Sequence, residues 1–150
     1  MSFRSRFEYA IDAKGRVNIP SPFREQLQEQ GQDSFFITNS FDGCLYGYAA
    51  SEWSRIEEQL SHASSTDPEI AFFIRFFIGG AVEVVPDKQG RILIPPSLRE
   101  HAQLEKDVVF TGLTKRFEIW SLARWQEEMG RLGKMRSDPE FVKKISNLGI

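Results

Sequence analysis

The sequence has little cysteine and no long apolar run. A single cysteine among 150 residues excludes a disulfide framework, so Cys44 is predicted to be a packed small apolar residue in a reducing compartment. The densest apolar stretch, residues 70–78, is interrupted by Arg75 and is far shorter than the roughly 20 residues that cross a bilayer. Charged residues break any apolar run near the N-terminus, so no signal peptide is predicted. These absences favour a cytoplasmic protein without membrane association.

Histidine is equally scarce, and the two histidines stand alone in the sequence. His62 and His101 have no nucleophile or metal ligand at a recognisable spacing, so both are predicted to be surface residues. One cysteine and two scattered histidines do not make a metal site. Gly15 and Gly90 lack the further glycines that a phosphate-binding loop needs. We therefore expect no catalysis, no metal or cofactor and no small-molecule ligand.

The total charge gives no sign of a polyanionic partner, but the charge distribution does. The formal net charge is −2 at pH 7, which argues mildly against a nucleic-acid-binding protein. The first 24 residues, however, carry five basic and two acidic side chains, a local net charge of +3. Local charge, repeated by oligomerisation, matters more for phosphate binding than the total for the chain.

The most informative feature is a motif that occurs twice. DAKGRVNIPSPFRE begins at Asp12, and DKQGRILIPPSLRE begins 75 residues later at Asp87. Later matches continue the repeat with offsets of 72 to 74 residues, as expected when loops differ in length and elements persist. These matches pair residues 35–38 with 108–111, 45–46 with 119–120, and Trp53 with Trp125. The chain is therefore predicted to contain two copies of one unit, residues 1–66 and 67–150.

Each copy of the motif predicts a strand, a turn, a second strand and a helix. The glycine permits a positive φ in the turn, and β-branched residues then alternate as a strand. Proline ends this strand, and Ser21 followed by Pro22 predicts a helix capped by the Ser21 hydroxyl. The sequence as a whole predicts an α+β fold. The predicted strands lie near 3–11, 17–19, 34–38, 44–48, 81–85, 91–94, 108–111 and 117–120. The predicted helices lie near 21–30, 51–60, 67–78, 97–102, 121–132 and 139–147, and a polar loop is predicted at 61–66.

The predicted helix at residues 67–78 is apolar on nearly all sides. A protomer of this size has too few other residues to cover every face of the helix, so part of it is predicted to lie in a contact between subunits. The other aromatic residues fall at core-like spacing, which favours packing over base stacking.

Basic side chains near the two turns are the candidate functional residues. Lys14 and Arg16 flank the glycine of the first turn. An exposed arginine can form two hydrogen bonds with guanine, whereas a lysine suits a backbone phosphate. Four further side chains are candidates for nucleic-acid binding, two before the first turn and two at the second: Arg4, Arg6, Lys88 and Arg91.

A structural role competes with DNA binding at these positions. Asp12 can form an ion pair with Arg16 or with Arg24, which would hold the first hairpin against its helix. The second copy offers the corresponding pairs, Asp87 with Arg91 or Arg99. Arg4 and Arg6 could likewise only solvate an edge strand.

The two motifs, their separation and the strand–strand–tryptophan pattern that follows resemble the MraZ family of bacterial regulators. The resemblance covers the chain from Phe3 to the predicted C-terminal helix. It implies two tandem swapped-hairpin units of the AbrB type, which form an intramolecular pseudo-dimer with a barrel-like core and surrounding helices. One departure is Gln89, since the first copy has Lys14 at the corresponding position.

The same resemblance implies a function. It implies a closed ring of several subunits that acts as a sequence-specific transcriptional repressor. Such a ring would bind double-stranded DNA at direct repeats upstream of the division and cell-wall gene cluster, which includes its own gene. The protein would be cytoplasmic and nucleoid-associated, without cofactor or catalysis.

Two other interpretations stay open. The chain could be a ring-forming module whose hairpin tips bind a protein partner, or the antitoxin half of a toxin pair. Salt-sensitive binding to a promoter fragment would favour the regulator, whereas tight co-purification with a protein would favour the other two.

Overall fold

The secondary structure follows the repeat. A computed structural model describes residues 1–63 and 66–150 of the chain. The first unit contains β1 (Arg6–Ala10), β2 (Arg16–Asn18), α1 (Ser21–Glu29), β3 (Phe35–Asn39), β4 (Leu45–Ala49) and α2 (Ala50–Ser61). α3 (Pro68–Phe77) lies beyond the predicted border at residue 66 but packs on this unit, and it is described with it. The second contains β5 (Val82–Val84), β6 (Arg91–Leu93), α4 (Pro96–Ala102), β7 (Asp107–Gly112), β8 (Phe117–Ser121), α5 (Leu122–Gly130), α6 (Leu132–Met135) and α7 (Pro139–Ser146).

Strands from both units form one antiparallel sheet and a separate two-stranded ribbon. The six-stranded sheet has the order β1-β7-β8-β4-β3-β5, and β2 pairs with β6 in the ribbon. The α+β class is therefore as predicted. The barrel-like closure is not found among the described residues, because β1 and β5 lie at opposite edges of the open sheet.

The first strand of each unit pairs with the other unit. β1 pairs with β7, and β5 pairs with β3. Two cross-strand pairs join residues that hold the same place in the two copies, Val17 with Ile92 and Leu45 with Ile119. A twofold pseudo-symmetry axis therefore passes through both pairs, and each unit depends on the other to complete its sheet.

The core is aromatic and draws on both units. Phe3 and Phe23 of the first unit lie 5.3 and 5.2 Å from the Phe117 ring of the second. Val17 and Ile92 of the ribbon are 1% and 2% exposed and belong to the same cluster. Burial of such side chains stabilises a fold by about 1.5–3 kcal/mol each. A half-chain of this size buries proportionally less surface, so the shared core accounts for the joining of the two units.

The observed start of α3 agrees with the local sequence signals, whereas the start of α1 does not. α3 starts close to the predicted position: Asp67 accepts hydrogen bonds from the N–H groups of Glu69 at 2.9 Å and Ile70 at 3.4 Å. The predicted Ser21 cap was wrong, because Pro20 already ends the extended segment and Ser21 is the first residue of α1, without a side-chain cap. The predicted polar loop at 61–66 includes residues 64 and 65, which lie outside the described residues.

α3 covers the first unit with one face and exposes the other. Phe77 packs 5.3 Å from the Trp53 ring, while Ile70 and Phe72 are 37% and 60% exposed. The helix that is apolar on nearly all sides is therefore only half covered within its own chain. No helix formed by residues 1–63 and 66–150 is long and apolar enough to cross a membrane.

Candidate nucleic-acid interface

Asp12 organises both the backbone and one arginine of the first turn. Its Oδ1 accepts hydrogen bonds from the N–H groups of Lys14 at 3.0 Å and Arg16 at 2.8 Å. Its Oδ2 accepts a hydrogen bond from Arg16 Nε at 2.7 Å. An aspartate that accepts from backbone N–H groups ahead of it stabilises a tight turn. One carboxylate thus fixes the turn and orients Arg16.

Asp87 builds the second turn in the same way. Its Oδ1 accepts hydrogen bonds from the N–H groups of Gln89 and Arg91, both at 2.9 Å, and its Oδ2 accepts from Arg91 Nε at 3.1 Å. Of the alternative ion pairs considered for Asp87, the structure contains the pair with Arg91. For Asp12 it contains the pair with Arg16.

Both aspartates are held in the ionised form. The backbone N–H of Arg16, reinforced by its guanidinium, lowers the pKa of the Asp12 carboxyl below its ordinary value. The N–H of Arg91 does the same to the pKa of Asp87. Hydrogen bonds to a charged form favour that form, so both pairs stay ionised at neutral pH. Each arginine uses Nε for its aspartate and retains its terminal nitrogens as further donors.

Each turn glycine lies against an arginine of the other unit. Gly15 has a φ of +91°, and an added Cβ would lie 2.5 Å from the Ile94 carbonyl oxygen and 2.7 Å from Arg99 Nε. Gly90 has a φ of +77°, and an added Cβ would lie 2.6 Å from Arg24 Cζ. Glycine is required at both positions for its positive φ and for this close approach.

Arg24 and Arg99 donate hydrogen bonds to backbone carbonyl groups and do not form the ion pairs with Asp12 and Asp87 that were considered from the sequence. Arg24 Nε donates to the Ile19 carbonyl at 3.4 Å, and Arg99 Nε donates to the Ile94 carbonyl at 2.9 Å. Within the described part of the chain, the motif aspartates pair with the turn arginines. Both strands end at these carbonyl groups, which therefore need a hydrogen-bond donor from outside the ribbon.

The outer face of the ribbon brings the two turn arginines together. Val17 and Ile92 pair in the ribbon, and both side chains are buried. Because side chains alternate along a strand, the opposite face carries the other four side chains of the ribbon: Arg16, Asn18, Arg91 and Leu93. Arg16 and Arg91 are diagonal neighbours on this face, about 7–8 Å apart.

Two residues of this face were missed by the sequence reasoning. Asn18 is exposed beside Arg91, and Leu93 is 57% exposed opposite Arg16. The signal that could have found them is the strand period, since residues next to a buried Val17 or Ile92 must face outward.

The remaining basic candidates lie around this face or away from it. Lys14 and Lys88 are exposed within the two turns, and Arg4 is exposed just before β1. Arg6 is also exposed, but its guanidinium lies over the Trp125 ring, 5.1 Å from the centroid. This cation–π contact directs Arg6 toward α5.

The cysteine and histidines lie outside this face. Cys44 is buried, and burial raises the pKa of its thiol to about 12. His62 is exposed, but the prediction of a surface position was wrong for His101, which is half-buried with Nε2 at 2.9 Å from the Ser40 carbonyl oxygen. Residues 1–63 and 66–150 contain no group of three or more side chains that could hold a metal ion.

Fold and site together define a class of protein. The chain is a tandem repeat whose two units share a β-ribbon, with an aspartate–arginine pair at each turn and two arginines on the outer face. A family model described as "MraZ protein, putative antitoxin-like" matches residues 2–76 and 77–140. The chain belongs to the MraZ family. The border between the two matches falls within α3, ten residues after the predicted border at residue 66.

Curated relatives match along most of their length. The chain is 44% identical over 148 residues to a protein of Acetivibrio thermocellus named "Transcriptional regulator MraZ", with 99% of each chain covered. It is 51% identical over 122 residues to a protein of the same name from Caldanaerobacter subterraneus, covering 81% of this chain and 82% of the relative. A third relative, from Pediococcus pentosaceus, is 46% identical over 83% of this chain.

Proposed function

We propose that the protein is a sequence-specific transcriptional regulator that reads duplex DNA with the outer face of its ribbon. The observation that carries the proposal is the pair of oriented arginines, Arg16 and Arg91, on one exposed face. Arginine contacts guanine with two hydrogen bonds in the major groove, and that groove admits a two-stranded β-ribbon. The name of the relatives supports a role in transcription regulation.

The exposed residues around the ribbon supply the phosphate contacts in this proposal. Lys14 and Lys88 lie in the turns beside the base-reading face, and Arg4 is a further exposed cation two residues before β1, at the end of that strand away from the first turn. The first turn makes the larger contribution in this proposal. Each turn carries one lysine, but Gln89 takes the place of Lys14 and the exposed Glu83 adds negative charge on the strand that enters the second turn. Phosphate contacts position the protein, whereas base contacts give sequence specificity.

Assembly and promoter choice form the finer part of the proposal. The two units form a swapped-hairpin pair of the AbrB type, which is supported by the pairing of β1 with β7 and β5 with β3. Copies join head to tail through the exposed face of α3 and close into a ring. Identical ribbons side by side read direct repeats about one helical turn apart, roughly 10–10.5 bp. The regulated site lies upstream of the division and cell-wall gene cluster, where occupancy of the promoter represses transcription.

A second candidate function is binding of a protein partner. The description of the matching family as antitoxin-like and the exposed apolar face of α3, with Phe72 60% exposed, favour this alternative. This alternative predicts that a partner protein co-purifies with the chain. It also predicts that the affinity for DNA is weak whatever the DNA sequence.

The deciding experiment is a gel shift with the DNA upstream of the protein's own gene. Arg16→Ala should abolish the specific complex, because loss of a two-hydrogen-bond contact costs about 1–3 kcal/mol at each site and several subunits bind together. The fold should survive, since Asp12 still accepts the N–H groups of Lys14 and residue 16. Size-exclusion chromatography of the same sample should show an unchanged oligomer.

The matched control is Arg55→Ala, which removes an exposed arginine from α2 and should leave DNA binding intact. Equal affinity of the two variants would contradict the proposed ribbon interface. Dissociation of the Arg16→Ala oligomer would instead assign Arg16 a structural role.

A further inference from the structure

The repeat extends beyond the motif to two later helices, α3 and α7. α3 begins with Asp67-Pro68-Glu69, and α7 begins with Asp138-Pro139-Glu140, 71 residues later. Both aspartates are N-caps, and each accepts a hydrogen bond at 2.9 Å from the N–H two residues ahead. α7 therefore stands in the second unit where α3 stands in the first.

In the first unit, α3 fills a groove formed by β3, β4 and α2. The carbonyl of Phe77 accepts a hydrogen bond from Thr38 Oγ1 at 2.5 Å, and its ring lies 6.3 Å from Tyr48 and 5.3 Å from Trp53. Trp53 is only 1% exposed as a result.

In the second unit the corresponding groove is open. Thr111 and Trp125 hold the places of Thr38 and Trp53, and both line a groove of about 360 Å³. The other apolar lining residues are Leu113, Trp120 and Met129. Trp125 is only half-buried here, because the Arg6 guanidinium, 5.1 Å from its ring centroid, lies over it in place of a helix.

The helix that would fill this groove stands away from it. α5 continues through Arg131, which has helical φ and ψ of −67° and −24°, into α6. A helical path over residues 122–136 carries the chain roughly 20 Å from the start of α5. Residues 131–140 are all exposed, and α7 leaves an apolar face uncovered, with Val142 and Ile145 at 48% and 41% exposure and Leu148, just past its end, at 66%.

We propose that α7 of a second copy of this chain occupies the open groove of the second unit. The lining of the groove and the side chains of α7 have changed together relative to the first unit. Glu128 lines the groove where Ile56 lies in the first copy, and Lys144 stands in α7 where α3 has Phe73. A lysine on the helix thus matches a carboxylate in the groove.

The remaining charges of the groove have partners within the chain. Glu118 pairs with Arg116 at 3.1 Å, Asp42 accepts a hydrogen bond from the Tyr46 hydroxyl, and the Arg6 guanidinium lies over Trp125. The carboxylate that a lysine of α7 would meet is therefore that of Glu128. The present partner of Glu128 is Arg131 at 3.2 Å, a pair 66% and 40% exposed. Such surface pairs contribute little to stability, so Glu128 can exchange partners.

The direct test is cross-linking between two different variants of the full chain. Met129→Cys places a thiol in the groove, and Leu148→Cys places one just past the end of α7, at the position that corresponds to Phe77 of α3. One variant carries an affinity tag, so that a mixed disulfide dimer is resolved by mass on a non-reducing gel. The native Cys44 is buried and remains in both variants as a shared background.

The mixed dimer should form about tenfold faster than with a control pair, because docking raises the effective concentration of the two thiols. The control pair joins Leu148→Cys to Leu93→Cys, an exposed ribbon position. No excess over the control would overturn the proposal. A chain carrying both Met129→Cys and Leu148→Cys that yields only an internally linked monomer would also overturn it, because the chain's own α7 would then be the occupant.

A charge exchange covers the case in which the cysteine variants fold poorly. Glu128→Lys and Lys144→Glu should each weaken self-association, and the chain that carries both should restore it. Failure of the double variant to exceed the singles would also refute the contact. The inference rests on the self-assembly proposed above, but neither the cross-linking nor the charge-exchange experiment includes DNA. Intact cross-linking without promoter binding would therefore refute the DNA proposal alone.

Discussion

Substitution of Gly15 by alanine tests the contact between the two units at the ribbon. The residue has a φ of +91°, and its Cβ would lie 2.5 Å from the Ile94 carbonyl oxygen of the other unit. Gly31 is the matched control. It has a φ of +69° at the end of α1, and an added Cβ there would meet nothing within 4 Å. Gly31→Ala therefore measures backbone strain alone.

The two variants should differ by the cost of the steric clash. A left-handed backbone costs a non-glycine residue about 1–2 kcal/mol, and both variants carry this term. Forcing extra atoms into a packed site costs about 1–3 kcal/mol more, and only Gly15→Ala carries that term. Since 1 kcal/mol shifts Tm by about 2–4 °C in a domain of this length, Gly15→Ala should melt several degrees below Gly31→Ala.

The assay is thermal unfolding followed by tryptophan fluorescence, at one protein concentration because self-association shifts apparent stability. Gly90→Ala provides an intermediate case, because its Cβ would meet the flexible Arg24 side chain at 2.6 Å rather than a carbonyl group. Equal destabilisation by Gly15→Ala and Gly31→Ala would refute the close packing of the two units.

Three further outcomes are expected. Lys14→Gln should lower the slope of log affinity against log salt by about 1 per engaged subunit, whereas Gln89→Ala should leave it unchanged; equal effects would mean that both turns contribute alike. Insertion of half a helical turn between two DNA repeats should cost far more affinity than insertion of a whole turn of roughly 10.5 bp, and equal losses would contradict the ring. Cys44, with its thiol pKa raised to about 12, should resist thiol reagents near neutral pH until the protein unfolds, because the thiolate is the reactive form; rapid labelling of the native protein would contradict its burial.

Local sequence patterns predicted the elements of this fold well because each depends on neighbouring residues. The Asp–Gly–Arg turns follow from the positive φ of Gly15 and Gly90 and from the short reach of an aspartate to backbone N–H groups ahead of it. The helix predicted from residue 67 likewise has Asp67 as its N-cap. Ser21 failed as a cap because two prolines compete for the helix start, and local rules do not decide between Pro20 and Pro22.

Contacts between the copies could not be predicted from the sequence alone. The pairing of β1 with β7 depends on which sheet edge is free once both units have folded, and periodicity carries no information on that choice. The roles of Arg24 and Arg99 depend on the same packing, since both meet a turn of the other unit. An arginine six residues past the end of a strand is equally compatible with an aspartate or a carbonyl partner.

If the ribbon reads DNA as proposed, its pseudo-symmetry limits the kind of site that it would recognise. The axis through Val17 and Ile92 relates Arg16 to Arg91, and a true homodimer would have identical side chains at every such pair. This chain instead has Asn18 in the first copy where the second copy has Leu93. An asparagine suits adenine, and an apolar side chain suits the thymine methyl group, so the two ends of the ribbon face would read different bases. A symmetric reader matches a palindrome, whereas a face with two unlike ends has a direction. Under the proposed function, the duplication within one chain would give the ribbon the polarity that recognition of direct repeats requires.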